Sequence, residues 1–315
     1  QYKLENLDQA KRRKIADYFI QRKRENIKHW LKEKTPFPER KTSEIGYQLT
    51  PAYEDFYNEV LNFARGVSKK DDTRTNRRVR WWAGLAMLKN RKDVNKENKK
   101  SDQDSPVEMK IDEMGNPVLD DYAQNSDETQ TFLLDNADLN REEIRELDRL
   151  SEKIIKLADL HNDYKAVRAL EIVKDWISRK FHPIVFCKFI NTANYIGKIL
   201  KENLPEGTTV QVVTSDFDDE QRKEMVEQLG THEKRVLVAT DCLSEGINLQ
   251  NYFTAVLHYD LPWNPNRIEQ RDGRVDRFGQ PEEKVESILL YGENNPVDRI
   301  VLDVLIKKVR EIQRL

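Results

Sequence analysis

Three arginines recur at intervals of three near the carboxyl-terminal end of the chain: Arg271, Arg274 and Arg277. On a helix, residues three apart project towards one side, so these three guanidinium groups would repel one another. The arrangement needs an anion or carboxylates opposite it, and guanidinium forks suit phosphate oxygens in particular. The spacing therefore predicts a phosphate site or an internal ion-pair network, and charge alone does not decide between them. The acids that could form the network are Glu269, Asp272 and Asp276.

The elements that must position these arginines are short apolar strands alternating with helices. Five buried strands are predicted at residues 184–187, 210–213, 236–239, 255–259 and 285–291. Continuous apolar runs separated by helical patterns are typical of a parallel sheet that is covered by helices on both faces. Ligands bind such sheets at the carboxyl ends of the strands, and the arginines follow a polar stretch after the fourth strand.

The chain before residue 182 is mainly helical by its pattern. Apolar residues at helical spacing predict a basic amphipathic helix over residues 7–34 and further helices over 77–88 and 141–180. Alternation predicts a strand near residues 43–49, and Thr50-Pro51 after it is typical of a helix start, with Thr as the cap.

The net charge of −2 conceals two oppositely charged segments. Residues 11–34 carry ten basic and three acidic side chains, whereas residues 101–150 carry fifteen acidic and four basic ones. A segment as polar as residues 91–140 cannot bury enough apolar area to offset its ordering entropy, so a disordered insertion is predicted there. Each charged segment is a solvated face or a contact surface, and their opposite signs suggest that the insertion could cover the basic strip.

Composition excludes several classes of protein. The 315 residues are 37% hydrophobic and 35% charged, and no apolar run approaches the roughly 18 residues of a membrane span. No secretory signal is recognised, so a soluble cytoplasmic protein with no membrane partner is expected. Cys187 and Cys242 lie in apolar runs and are predicted to be reduced core thiols, and no metal site is predicted.

In order and context these motifs resemble those of superfamily two helicases, specifically the Swi/Snf-type translocases of the bacterial RapA-like branch. CLSEGINLQ and HYDLPWNPNRIEQRDGRVDRFGQ are similar to motifs V and VI of that family, and HPIVFCKFINTANYIGKIL is similar to motif IV. SDFDDEQR and RVLVATD resemble the lead into motif V. The resemblance covers about residues 166–292 and implies the second, RecA-like lobe of such a motor.

The resemblance assigns roles by position. Arg274 and Arg277 would be arginine fingers that reach the γ-phosphate of an ATP held by another lobe, and Gln270 would help to position them. The expected nucleotide contacts are Gly246, Asn248 and Arg271. The expected nucleic-acid contacts are Thr240, Ser244, Trp263 and Lys188.

Two of these positions carry open alternatives. Trp263 could touch nucleic acid or could serve as a packing anchor beside two prolines. Asp272 stands where the family often has an apolar or neutral residue, and it could orient Arg271 or weaken the site.

A complete translocase also needs a GxxxxGK[ST] phosphate loop and a strand-borne DExx acid for Mg²⁺, and the sequence contains neither in the required context. The resemblance therefore implies the carboxyl-terminal lobe of a larger DNA-dependent ATPase, inactive alone, with ATP and Mg²⁺ held mainly by a first lobe. The predicted division is a first-lobe tail and connector (1–45), a helical region with its insertion (46–165), the RecA-like lobe (166–295) and a closing helix (296–315).

Two other functions deserve comparison with the motor. A catalytically lapsed helicase-like scaffold that binds a protein partner would explain the helical region but not the intact Gln270, Arg274 and Arg277. A nucleotide-binding oxidoreductase fails because no GxGxxG follows a predicted strand. For the motor, double-stranded DNA is the expected partner, and transcription recycling with RNA polymerase, phage defence and repair all fit as pathways.

Overall fold

A computed structural model describes most of the sheet-forming part of the chain and part of the helical region. The residues described are 37–69, 137–244, 247–262 and 265–295, together with Arg77, Arg80, Ala83 and Asp298. Several predictions lie wholly or largely outside these residues. They are the basic helix over 7–34, most of the helix over 77–88, the insertion over 91–140 except its last residues, and the closing helix over 296–315 except Asp298.

The sheet has six parallel strands. They are β1 (Glu39–Tyr47), β2 (Pro183–Phe186), β3 (Thr208–Val213), β4 (Lys234–Ala239), β5 (Ala255–His258) and β6 (Lys284–Gly292). Their order across the sheet is β1-β6-β5-β2-β4-β3. The five strands predicted from apolar runs are all present, and the parallel arrangement is confirmed.

The sixth strand comes from the amino-terminal side of the helical region. β1 pairs with β6 in parallel over nine residues, from Glu39 opposite Lys284 to Tyr47 opposite Gly292. Its alternation predicted a strand, but nothing local indicated that it joins the sheet at the edge beside the last strand. β1 also crosses the predicted division between residues 45 and 46.

Six helices lie within the continuous stretches of described residues. They are α1 (Pro51–Ser68), α2 (Arg141–Leu157), α3 (Tyr164–Ser178), α4 (Ile190–Asn203), α5 (Asp219–Gly230) and α6 (Pro265–Asp272). The prediction of Thr50 as the cap of α1 is confirmed, because its side chain accepts a hydrogen bond from the Tyr53 amide.

One helix was predicted over residues 141–180, and the structure has two. The Asp159 carboxylate accepts hydrogen bonds from the amides of His161 and Asn162, which offers the backbone an alternative to the helical ladder. Asp163 then caps the new helix by accepting from the Ala166 amide. The apolar spacing continued through this turn, so the period alone could not reveal the break.

The two faces of the sheet bury different cores. One face packs Val185, Val238 and Leu257 against α3 and α4, with Trp176 fully buried among them. The other face packs Phe186 and Leu237, with their neighbours, against α5 and two short 3₁₀ turns that follow β4. Strands buried on both faces explain why their sequences are continuously apolar rather than alternating.

A smaller core joins α1 to α2 beside the sheet. Phe56 and Val60 of α1 pack on Leu150 of α2. A buried arginine reinforces this contact: Arg80 forms two hydrogen bonds to Glu143, at 2.9 and 3.0 Å. None of the described helices is long and apolar enough to cross a bilayer.

Candidate functional site

The segment that carries the three arginines is α6 and the turn that follows it. α6 begins shortly after β5 and packs Ile268 on Leu289 of β6, with Leu261 beside them. The backbone then turns, with the Arg274 amide donating to the Arg271 carbonyl and the Asp276 amide to the Asp272 carbonyl. We call residues 273–277 the finger turn.

Arg271 holds α6 to the carboxyl ends of the strands. Its Nε and Nη2 donate to the two oxygens of Asp241, at 2.6 and 2.9 Å, and its Nη1 donates to the Asp260 carbonyl at 3.0 Å. The residue is only 3% exposed. The expected nucleotide contact of Arg271 is therefore not supported, because its fork is occupied by Asp241 in a buried structural clamp.

Arg40 of β1 contacts α6 and the finger turn. Its guanidinium makes two hydrogen bonds of 3.2 Å to Glu269 and lies 3.4 Å from a carboxylate oxygen of Asp272 and of Asp276. Burial disfavours the charge of Arg40, yet the carboxylates, led by Asp272, raise its pKa above the ordinary arginine value. We call Arg40 with these three acids the Arg40 cluster.

Asp272 makes contacts that neither alternative from the sequence described. Its Oδ1 bonds His258 Nε2 at 2.9 Å and accepts from the Ser287 hydroxyl at 2.8 Å, which ties α6 to β5 and β6. Burial raises the pKa of Asp272, but His258, Arg40 and Ser287 together hold it below the ordinary value. Asp272 is therefore a contact between helix and sheet, and the Arg40 guanidinium lies beside its other oxygen.

The two candidate fingers retain solvent exposure that Arg271 lacks. Arg274 is half-buried, and Arg277 and Gln270 are exposed. Gln280 fastens the end of this segment by donating to the Phe253 carbonyl at 3.0 Å and the Val275 carbonyl at 2.8 Å. The segment is thus anchored on both sides of the finger turn while Arg277 extends into solvent.

Two of the candidate nucleic-acid contacts follow the carboxyl ends of strands: Lys188 comes after β2 and Thr240 directly after β4. Thr240 is only 3% exposed and its hydroxyl donates to Cys242 Sγ, so the structure does not support a phosphate contact by that side chain. Lys188 is half-buried at the same rim, and burial lowers its pKa against the attraction of Asp260 and Asp241.

The remaining predicted contacts are only partly described. Asn248 is exposed just before a 3₁₀ turn, Leu249–Asn251. Ser244 ends the other 3₁₀ turn, Asp241–Ser244, and its side chain lies outside the described residues, as do Gly246 and Trp263. Both cysteines are free and buried, as predicted, and burial raises the pKa of each thiol.

Asp260 is an organising residue that the sequence did not single out. Its two oxygens accept from Lys165 Nζ at 2.7 Å and from the Lys188 amide at 2.9 Å, and its carbonyl accepts from Arg271. Lys165 also lies 4.2 Å from the centre of the Tyr259 ring. Because its partners are distant in sequence, only its position after a buried strand could have indicated this role.

Comparison with known proteins shows which proteins parts of this chain are similar to. Residues 142–279 match the family model described as helicase conserved C-terminal domain. Two solved structures share the fold. The SWI2/SNF2 ATPase core of Sulfolobus solfataricus, in complex with dsDNA, has a TM-score of 0.53 at 16% identity, covering 87% of this chain and 45% of that one. The C-terminal part of the Fun30 ATPase domain has a TM-score of 0.52 at 13% identity, covering 85% of this chain and 89% of that one.

The predicted fold class is therefore confirmed: the domain is a RecA-like α/β fold, a parallel sheet covered by helices. Residues 142–279 are similar to a helicase carboxyl-terminal domain, and membership of superfamily two stays a prediction. The RapA-like branch stays a prediction.

Curated relatives agree with this class. The "Uncharacterized ATP-dependent helicase YqhH" of Bacillus subtilis is 30% identical over 168 residues, which are 53% of this chain and 28% of that protein. Eukaryotic initiation factor 4A of Cryptosporidium parvum is 27% identical over 186 residues, 58% of this chain and 42% of that protein. The chain thus spans less than half the length of either relative.

Proposed function

We propose that this chain is the carboxyl-terminal lobe of an ATP-dependent DNA translocase of the Swi/Snf type and acts with a first RecA-like lobe. The helicase-domain match over residues 142–279 supports the lobe assignment. The fold shared with the Sulfolobus core over 87% of this chain supports the Swi/Snf type. The assembled enzyme would hydrolyse ATP, and this chain alone would be inactive.

The observation that carries the proposal is that four arginines fall into two pairs: two contact carboxylates around α6, and two lie on the finger turn. Arg40 and Arg271 contact the carboxylates around α6. Arg277 is exposed and Arg274 is half-buried on the turn between these anchors. Cations presented on a fixed turn suit a ligand anion, because little side-chain and backbone freedom is lost when the anion binds.

The residues of the finger turn fit the phosphates of ATP. When bound, ATP supplies the phosphoryl group that is transferred to water. Arg277 and Arg274 would hold the equatorial oxygens of that group and offset the charge that develops there. Gln270, exposed on α6 one turn earlier, would orient them, and Asn248 would lie near the ribose. Mg²⁺ and the inner phosphates would be held mainly by the first lobe.

The carboxyl ends of β2 and β4 supply the proposed grip on nucleic acid. Lys188 is a half-buried cation just after β2, and Ser244 and Trp263 are further contacts taken from the family resemblance. Contacts of this kind to phosphates carry no base information and weaken with salt. We therefore expect binding that is independent of sequence and sensitive to ionic strength.

Arg274→Ala tests the proposal in the polypeptide that joins this chain to its first lobe. Turnover should fall by about 10³-fold or more, as for other arginine fingers, while ATP affinity is largely kept. Phosphate release and binding of a fluorescent ATP analogue separate the two effects. Arg168→Ala is the matched control, because Arg168 is an exposed arginine of α3 that pairs with Glu171. Equal turnover of the Arg274→Ala variant and wild type would refute the finger role.

The same preparation distinguishes the competing functions. Stimulation of turnover by duplex DNA above duplex RNA supports a DNA motor. The reverse order would favour an RNA helicase. A wild-type polypeptide that binds neither ATP nor nucleic acid but captures a protein such as RNA polymerase would favour the lapsed scaffold.

A further inference from the structure

We propose that Arg40, at the start of β1, is a positioning residue that fixes the finger turn. The inference rests on the proposed function in one respect, namely that Arg274 and Arg277 act on ATP. It goes beyond that function by assigning a task to a residue of the edge strand, 229 positions before Glu269 in the sequence. No motif discussed above includes Arg40.

The geometry of the Arg40 cluster supports this assignment first. Glu269, Asp272 and Asp276 follow one another at spacings of three and four, so their carboxylates lie on one side of α6 and the turn after it. The side chains of Asp272 and Asp276 are each only 1% exposed. Buried like charges at this spacing repel one another, and the Arg40 guanidinium lies within 3.4 Å of all three acids.

The position of Asp276 in the chain is a second argument for the positioning role of Arg40. Asp276 lies between the two fingers, and its amide already bonds the Asp272 carbonyl at 2.8 Å. Arg40 approaches the same residue from its side chain, so the turn is held through both backbone and side chain. A shift of Asp276 would move Arg277, its neighbour in the sequence, with it.

The pairing of β1 within the sheet is a third argument for the positioning role of Arg40. Arg40 is the second residue of a strand whose nine residues all pair with β6, and β6 pairs in turn with β5. The same β6 supplies Ser287, which bonds Asp272 from the sheet side. The backbone of Arg40 is therefore held by the sheet. Its planar guanidinium has donors for several carboxylates at once, whereas the ammonium of a lysine is a single point charge.

The test uses the two-lobe polypeptide and four variants. Arg40→Gln should lower kcat by roughly 10- to 100-fold, the scale expected when reacting groups are misplaced by about 1 Å, with the KM for ATP unchanged. Arg40→Lys should recover part of the loss because it keeps the charge. Arg40→Gln with Glu269→Gln should also recover part, because one of the three repelling acids is removed. Arg179→Gln is the matched control, because Arg179 bonds Glu286 of β6 on the other side of the sheet and should leave kcat unchanged.

A structural readout accompanies the kinetics. Amide hydrogen exchange over residues 265–280 should speed up in Arg40→Gln and remain unchanged in Arg179→Gln. If Arg40→Gln fails to fold, Arg40→Lys decides the question: a lowered kcat with wild-type melting temperature supports positioning, and a wild-type kcat overturns it.

The two proposals fail in different ways. An active Arg274→Ala variant would remove the proposed function itself. An inactive Arg274→Ala beside a fully active, folded Arg40→Gln would leave the fingers in place and overturn only the role of Arg40. A kcat loss in Arg40→Gln that Arg179→Gln reproduces would also overturn it, since a general loss of stability would then be the cause.

Discussion

Replacing Arg80 with Met should strongly destabilise the helical region, because Arg80 joins three separate parts of it. The guanidinium bonds both oxygens of Glu143 in α2, and it also donates to the carbonyls of Val67, Ala137 and Asp138 at 2.7 to 2.9 Å. The residue is 8% exposed and Glu143 is 5% exposed, so water cannot replace these bonds. Met fills a similar volume and removes every donor.

The expected loss in the free energy of unfolding follows from the Glu143 carboxylate, which would stay buried without its arginine. Removing one partner of a buried ion pair costs about 3–5 kcal/mol, since the other charge stays buried without compensation. Glu143 keeps the hydrogen bond from the Asn140 amide at 2.9 Å, which places the estimate in the lower part of that range. The double variant with Glu143→Met should lose less, because an apolar pair of similar size is often tolerated at such sites.

Urea denaturation of wild type, both single variants and the double variant measures this coupling as a double-mutant cycle. Far-ultraviolet circular dichroism reports the helices, and the slope of the transition should stay unchanged if only the folded state is affected. A loss below about 1 kcal/mol for Arg80→Met, within the range of an exposed pair, would refute the buried clamp. A double variant as unstable as the sum of the singles would show that the two side chains do not interact.

Three further predictions concern the main domain. Trp176→Ala should cost about 3–5 kcal/mol, because the ring is fully buried and its Nε1 donates to Glu286; denaturant melts test this. Burial lowers the pKa of His182 from 6.5 to about 4, so unfolding takes up a proton and stability should fall as pH drops through that window. His182→Gln should flatten this fall when melts are compared across the window. Gly197→Ala should destabilise by about 1–3 kcal/mol because its Cβ would collide with Val212, whereas Gly66→Ala, with open space, should not.

Features that are determined by neighbouring residues could be predicted from the sequence. Features that depend on residues far along the chain could not. Thr50 caps α1 as expected, and the apolar runs became parallel strands, because capping and burial on both faces leave marks in neighbouring residues. The break before Asp163 escaped prediction because the apolar spacing continued through it. The edge position of β1 escaped because pairing with β6 depends on residues more than two hundred positions away.

The same distinction explains why the arginine pattern could not be resolved from spacing. An ion-pair network and a phosphate site require the same residues, and the structure contains the first without excluding the second. Arg40 pairs with Glu269, 229 positions away, and with Asp272 and Asp276, whereas Arg271 pairs with Asp241, 30 positions away. The three acids at α6 and the finger turn thus have Arg40 as a partner, and Arg277 is exposed beside them. Under the proposed function, this ion-pair network would hold the finger turn while Arg277 contacts the ligand, so the two interpretations are compatible with each other.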